Sequence, residues 1–221
     1  MVTKLLLSVV VVKFKSKTPK LANLIVVDND KVNRGFAKAV NLGIKKALAK
    51  KAEAILLLNP DLKITAEQIL ALSKTSGDIV GPVLTFDRQG KRIYDFGGRV
   101  NFVLGRTTHL ENIAGKIDYV SGACMLIKKR VFEKIGLFDQ RFFMYLEDVD
   151  FCLRAKKAGF TIAINTSVVV EHQISEHRYS HDQFKLEQNL KSNWKFINKW
   201  VPWYFKPTAY IYWLYLWLRI H

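Results

Sequence analysis

Runs of apolar residues that end in polar ones recur along the chain, and their length and spacing set the element each predicts. Leu5 to Val12, Leu24–Val27 and Ala54–Leu58 are short and nearly uninterrupted, as strands buried on both faces are. Between the second and third, Phe36, Val40, Ile44, Ala47 and Leu48 recur at helical spacing, with Lys38, Lys45, Lys46 and Lys50 on the opposite side, so the segment reads as a β-α-β unit. A second helix is predicted from Thr65, where Thr65 and Gln68 have capping-box spacing and Ile69 and Leu72 supply apolar positions. Ile79–Leu84 and Tyr119 to Ile127 read as strands, and Lys129 to Ile135 as a short helix closed by Gly136. A further helix starts near Glu147 and stops at Gly159, and Phe160–Ile164 and Val168–Val170 are again β-like. From Phe86 to Leu110 the pattern weakens into turns between short edge strands, marked by Asp87-Arg88-Gln89-Gly90, Gly97-Gly98 and Gly105. Alternating strands and helices predict an α/β fold with a mostly parallel central sheet flanked by helices.

Composition narrows the class. A chain of 221 residues holds one large domain, or one domain and an appendage. With 49% hydrophobic and 24% charged residues it is neither disordered nor fibrous. Cys124 and Cys152 are its only cysteines, which excludes a disulfide scaffold, a cysteine-rich zinc module and an iron–sulfur site, and fits a reducing cytoplasm. Lys and Arg number 35 against 19 Asp and Glu, a net charge of +16 that attracts nucleic acid, an anionic membrane surface or phosphorylated small molecules. The Leu5 to Val12 run is too short to span a bilayer and lacks a small-residue cleavage site, so it reads as a strand and not as a signal or anchor.

Open α/β sheets bind ligands beyond the carboxyl ends of their strands. Three such ends carry acids: Asp28, Asn59-Pro60-Asp61, and the Glu147-Asp148-Val149-Asp150 cluster that opens the later helix. Gathered into one cleft they would repel unless a cation were present, and a hard divalent ion is the economical partner. The plainer readings are turn chemistry for Asp28 and Asp61, and first-turn acids worth about 0.3–1 kcal/mol each for the cluster. Asp150 has Arg154 four residues on, in the favoured orientation for a helical ion pair, whereas Asp148 faces Cys152 at that spacing and is the member most available for chemistry.

The wording of these segments adds a resemblance. Val26-Val27-Asp28-Asn29, Asn33-Arg34-Gly35-Phe36-Ala37, Asn41-Leu42-Gly43-Ile44 and Leu56-Leu57-Leu58-Asn59-Pro60-Asp61 resemble the family 2 glycosyltransferases of the GT-A fold. Tyr119-Val120-Ser121-Gly122-Ala123-Cys124-Met125-Leu126, Gly136-Leu137-Phe138-Asp139, Phe142 through Asp150 and Val170-Glu171-His172 are similar to its rhamnosyltransferase-like branch, in the same order. The resemblance covers roughly Leu24 to His172. It implies an inverting, metal-dependent enzyme that moves a sugar, with rhamnose the sugar it points to, from a nucleotide diphosphate sugar to a cell-envelope glycan or lipid-linked acceptor. Asp28, Asn33, Gly35, Asn59, Gly122 and Ala123 are then donor-binding residues. Asp61 and His172 hold a divalent cation, Mg2+ or Mn2+; Asp148 is the catalytic base and Glu147 lies on the acceptor side. A carboxylate base and a charge-neutralising ion are what displacement at a sugar carbon with a diphosphate leaving group requires.

The chain departs from the family at its start. Lys13-Phe14-Lys15 replaces Thr-Tyr-Asn, the stretch from Lys13 to Asn23 contains Pro19 and is at or below the usual length of a parallel crossover, and Asn29 leads almost directly to Asn33. That shortening keeps open a non-catalytic GT-A-like module that binds membranes or glycans. Beyond Asn193 the character changes: Trp194, Trp200, Trp203, Trp213 and Trp217 alternate with Tyr204, Tyr210, Tyr212 and Tyr215. Residues 1–175 are expected to form the nucleotide-sugar-binding and catalytic domain, and residues 176–221 a basic, aromatic helical tail. The uncharged Thr208 to Leu218 run is too short to cross a bilayer, so the tail reads as an interfacial segment, with Lys195, Lys199, Lys206 and Arg219 facing anionic lipid. A helix packed across the sheet is the competing reading. The expected location is cytoplasmic, peripheral on the inner face of the cell membrane. No nucleic-acid-binding motif is recognisable, so no specific nucleic acid is expected. His177 and His181 have i,i+4 spacing but lack a third convincing zinc ligand.

Overall fold

The apolar runs become strands of one sheet. A computed structural model describes residues 6–112, 115–173 and 182–220; His177 and His181 lie outside them. β1 (Leu7–Lys13) pairs in parallel with β2 (Leu24–Asp28) on one side and β3 (Ala54–Leu58) on the other. β5 (Ile79–Arg88) and β10 (Ile162–His172) form a second parallel pair, and β9 (Cys124–Lys128) lies between β3 and β5, antiparallel to both. β4 (Leu62–Lys63) closes the order β2-β1-β3-β9-β5-β10-β4, with β6 (Lys91–Asp95) paired to β5. Thus β1, β2, β3, β5 and β10 run the same way, and their carboxyl ends share one edge with the amino end of β9.

Side chains that alternate across the sheet divide the core in two. Val10, Ile55 and Leu57 face α1 (Phe36–Ala49), α3 (Lys129–Ile135) and α4 (Glu147–Lys157), while Val9, Val11, Leu56 and Leu58 face α2 (Ala66–Lys74). In α1 the expected stripe is inward, with Val40, Ile44 and Ala47 buried, and Lys38, Lys45, Lys46 and the C-capping Lys50 are exposed. Thr65 caps α2 in a complete capping box with Gln68, and Gly136, at φ 75°, ends α3 in the left-handed region where a side chain costs most.

Three segments differ in detail from the sequence reading. The strand expected from Tyr119 starts only at Cys124, because residues 119–123 leave the ladder: Tyr119 bridges to Gly98 and the Gly122 N–H turns to a side chain of α4. The two β-like stretches after Phe160 are one strand with a register shift between Asn165 and Val169. The stretch from Phe86 to Leu110, read as turns between short edge strands, resolves into the β5–β6 hairpin and a second hairpin of β7 (Gly98–Asn101) and β8 (Arg106–His109). The β1–β2 crossover is made without a helix.

The aromatic tail packs on one side and is bare on the other. α5 (Gln183–Trp200) sinks Phe196 into the first core, and its Ser192 and Asn193 side chains donate to Met144 O (2.7 Å) and Gly105 O (2.7 Å). α6 (Lys206–Leu218) packs on α5 through Trp213, whose ring N–H donates to Leu190 O at 3.0 Å, and through Tyr210 against Trp194. Outward, Trp203 is 81% exposed, Ile211 70% and Leu218 62%. Lys199, expected to face lipid, instead ion-pairs with Asp139 (2.8 Å) and buried Asp150 (2.6 Å). Among the described residues no helix is long and apolar enough to cross a membrane.

Candidate functional site

At the ends of β1 and β2, Asp28 is exposed, accepts the Asp30 N–H at 2.9 Å and lies 3.6 Å from Lys13 Nζ. The next turn is held by side chains that replace backbone partners. Asn29 is buried and accepts the Arg34 N–H at 3.0 Å; Asn33 accepts the Gly35 N–H at 3.1 Å. Gly35 has φ 76°, and a Cβ there would stand 2.3 Å from Phe143 O, which the Phe36 N–H contacts at 2.6 Å. Asn33 and Gly35 therefore fix how α1 leaves the sheet edge.

The second cluster joins residues 111 positions apart. After β3, Asn59 N–H donates to Ala123 O (2.8 Å) and Leu62 N–H to Asn59 O (3.2 Å), a turn that launches β4. Because β4 pairs antiparallel with the end of β10, Leu62 stands opposite His172, and Gln173 N–H donates to Asp61 O at 2.9 Å. The buried His172 Nε2 thereby lies 3.1 Å from Asp61 Oδ2, on a side chain 36% exposed. Open clefts flank this pair. One of about 630 Å³ is lined by Thr85, Arg92, Glu171 and His172; the other, about 400 Å³, by Lys17, Lys20, Asp61 and Lys63.

The third cluster opens α4, where Tyr145 and Leu146 have φ of 68° and 63°. Asp148 Oδ2 accepts the Gly122 N–H and Oδ1 its neighbour Val149 N–H, each at 2.8 Å. A Cβ on residue 122 would approach Asp148 Cβ to 3.2 Å, so glycine there permits the close contact. Burial pushes the Asp148 carboxyl above its ordinary value, opposed by those two N–H groups and by the charge of His109. Glu147 is buried beside it; loss of water, then the Asp148 charge, raise its carboxyl much further, and Oε2 has no hydrogen-bond partner. Burial and the neighbouring charge therefore favour the protonated form at Glu147, whereas two N–H donors favour the charged form at Asp148.

Of the residues expected from sequence, Asn59, Asp61, Ala123, Gly122, Asp148 and His172 are linked through one chain of contacts along the sheet edge, whereas Asp28, Asn33 and Gly35 form a separate group at β1–β2. One pair escaped the sequence reading. His109, at the end of β8, brings Nδ1 to 2.8 Å from the buried Asp95, and its ring meets Tyr119 edge-on at 5.6 Å. Its signal was present: Asp95 closes a strand just before Gly97-Gly98, the same placement of an acid that singled out Asp28 and Asp61.

Comparison with solved structures defines the fold. The chain superposes on the crystal structure of GalNAc-T7 with UDP, GalNAc and Mn2+ with a TM-score of 0.68 at 15% identity, over 93% of this chain and 50% of that one. The fold is that of the GT-A glycosyltransferases. Residues 95–195 match the family described as glycosyltransferase like family 2. Low-salt glycan biosynthesis hexosyltransferase Agl10 of Haloferax volcanii is 27% identical over 88% of this chain and 74% of its own length. The dTDP-rhamnosyl transferase RfbF of Shigella flexneri is 30% identical over 65% of this chain, which spans half of that protein. In fold and in sequence the chain resembles the family 2 glycosyltransferases, and its relatives include proteins named as hexosyl- and rhamnosyltransferases.

Proposed function

We propose that this glycosyltransferase moves a sugar, rhamnose being the first candidate, from a nucleotide diphosphate donor to a hydroxyl of a cell-envelope glycan or lipid-linked acceptor, inverting the anomeric carbon. The observation that carries the reading is the line of contacts from His172 and Asp61 through Asn59 and Ala123 to Gly122 and Asp148: two cation-type donors and one part-buried carboxylate on a single sheet edge. An imidazole nitrogen and a carboxylate oxygen facing each other fit a hard divalent ion, Mg2+ or Mn2+. Two protein ligands suffice, because such ions fill their remaining positions with water and substrate phosphate. Asp61 and His172 would hold it, with Asn59 beside them. Bound there, the ion neutralises charge on the departing diphosphate.

The chain's own groups do the rest. Asp28 and the Asn33–Gly35 turn receive the nucleotide, and Gly122 and Ala123 leave room for the sugar. Glu147 backs the acceptor side as an uncharged carboxyl. Asp148 accepts the proton of the acceptor hydroxyl while its oxygen bonds to the anomeric carbon and the bond to diphosphate breaks, the electron pair leaving with the diphosphate. A single displacement from the opposite face inverts configuration. We assign residues 1–175 to this chemistry. Residues 176–221 are assigned to attachment, as a peripheral segment whose outward apolar side chains, Trp203, Tyr204 and Ile211 among them, suit the headgroup layer of an anionic inner membrane surface.

Calorimetry with UDP and dTDP, with and without Mn2+, tests the donor site. Binding is expected only with the ion, weakened about 10- to 100-fold in Asp61→Asn, the loss of one charge-assisted contact. No nucleotide binding by folded protein would replace this reading with the non-catalytic membrane- or glycan-binding module. Sedimentation with vesicles of phosphatidylglycerol and phosphatidylcholine tests the tail. The chain is expected to pellet with them, and the Trp203→Ala, Ile211→Ser double variant to pellet several-fold less; equal partition discards the membrane role.

A further inference from the structure

We propose that Asp95 and His109 form a positioning pair for Asp148, in which the imidazole, clamped by Asp95 and seated on Tyr119 beside the Gly122–Asp148 contact, is the cationic partner of the part-buried Asp148 carboxylate. The inference rests on Asp148 being the proton acceptor and adds residues to which the sequence reading gave no role.

The pair is built from tertiary contacts. β6 delivers Asp95 to the sheet edge, where Oδ1 accepts the Gly97 N–H at 2.9 Å and Oδ2 faces His109 Nδ1 at 2.8 Å, so neither oxygen is idle. The Gly97-Gly98 turn then starts the β7–β8 hairpin, and its register sets His109 opposite Gly98. Gly98 in turn bridges to Tyr119; a Cβ on residue 98 would lie 2.2 Å from that ring, so glycine is what lets the hairpin settle against it. Tyr119 is three residues from Gly122, the donor to Asp148. The hairpin, the 119–122 segment and the start of α4 thus converge on one place. A carboxylate bonded to one imidazole nitrogen fixes ring orientation and leaves the other nitrogen for function.

The surrounding charges agree with that role. The His109 side chain is 58% exposed, so only part of its surface loses water, and the Asp95 bond and charge, with a contribution from Asp148, hold the imidazole above its ordinary value. The other titratable groups coupled to Asp148 are Glu147, Tyr119 and Cys152. Burial raises all three and so favours the uncharged form of each. Two backbone N–H groups and one imidazolium therefore face the desolvation of Asp148.

Proton NMR of the imidazole Cε1–H in the full chain tests the coupling directly, with His109→Gln identifying the signal. Linkage is reciprocal: if His109 stabilises ionised Asp148, Asp148 must stabilise protonated His109. The proton affinity of His109 is expected to fall about threefold or more in Asp148→Asn and further in Asp95→Asn. An identical midpoint in wild type and Asp148→Asn overturns the proposal, and this comparison decides even where Asp95→Asn does not fold. In transfer assays, His109→Gln is expected to move the acid limb of the pH profile to higher pH while dTDP affinity in Mn2+ stays the same. An unmoved limb overturns the positioning role alone. Full transfer by Asp148→Asn would instead overturn the assignment of the base, with the NMR coupling still read separately.

Discussion

Asp148→Asn is expected to reduce sugar transfer about 10²- to 10⁴-fold, the range for loss of a positioned general base, with nucleotide affinity within about threefold of wild type. The substitution keeps the volume and one carbonyl oxygen, so the close approach to Gly122 is preserved. It removes the ability to take a proton at neutral pH. Two features make this residue and not its neighbour the one to lose. Asp148 has N–H donors on both oxygens, which favour the charged form, whereas Glu147 Oε2 has none and burial favours its protonated form. A carboxyl that already carries its proton is far too weak a base to take a second. Rates measured as release of nucleotide from the donor that calorimetry selects decide the matter: wild-type turnover in Asp148→Asn means that another group is the base.

Local rules made much of the fold legible. The α1 stripe, the Thr65–Gln68 box, Gly136 after α3 and the acids beyond strand ends are set by neighbours a few positions away, and each is where the pattern put it. The meeting of Asp61 with His172 was legible only by resemblance, since the two-residue strand β4 that aligns them carries almost no periodicity. What the sequence could not show were elements decided by distant hydrogen bonds. The apolar run from Tyr119 looks like an unbroken strand, yet the Gly122 N–H finds Asp148 across the fold and the ladder begins later. The Asp95–His109 pair depends on a hairpin register that weak edge strands do not announce. The tail is the largest case. Tryptophans spaced along a helix are equally compatible with a core and with a membrane surface, and only the docking of α5 separates its inward Phe196 from the outward Trp203 of the turn that follows.

That docking centres on one charge. In sequence Asp150 and Arg154 are an i,i+4 pair of the kind worth about 0.3–0.5 kcal/mol on an exposed helix. In the fold Asp150 is fully buried, with Arg154 Nε at 2.9 Å, Lys199 Nζ at 2.6 Å and the Trp200 ring N–H at 2.8 Å. Arg154 also donates to Ile135 O and Leu137 O, and Lys199 reaches Asp139, so α4, the α3 terminus and α5 are held through this single carboxylate. Asp150→Ala leaves a guanidinium and an ammonium without their shared counter-charge and a buried indole N–H without an acceptor. The expected loss is about 3–5 kcal/mol in urea unfolding, against about 1 kcal/mol for Trp200→Phe, which removes one hydrogen bond and keeps the charges paired. Such a loss is a large share of the roughly 5–15 kcal/mol that holds a domain together. If Asp150→Ala does not fold, Asp150→Asn, which retains the shape and an acceptor, is expected to fall between the two. A loss near 1 kcal/mol in Asp150→Ala would mean that the cations relax to water and that α5 is held by Phe196 and Ile197 alone. Because Asp150 lies two residues beyond Asp148 on the first turns of α4, the same contacts that dock the aromatic helix also fix the segment that carries the proposed base.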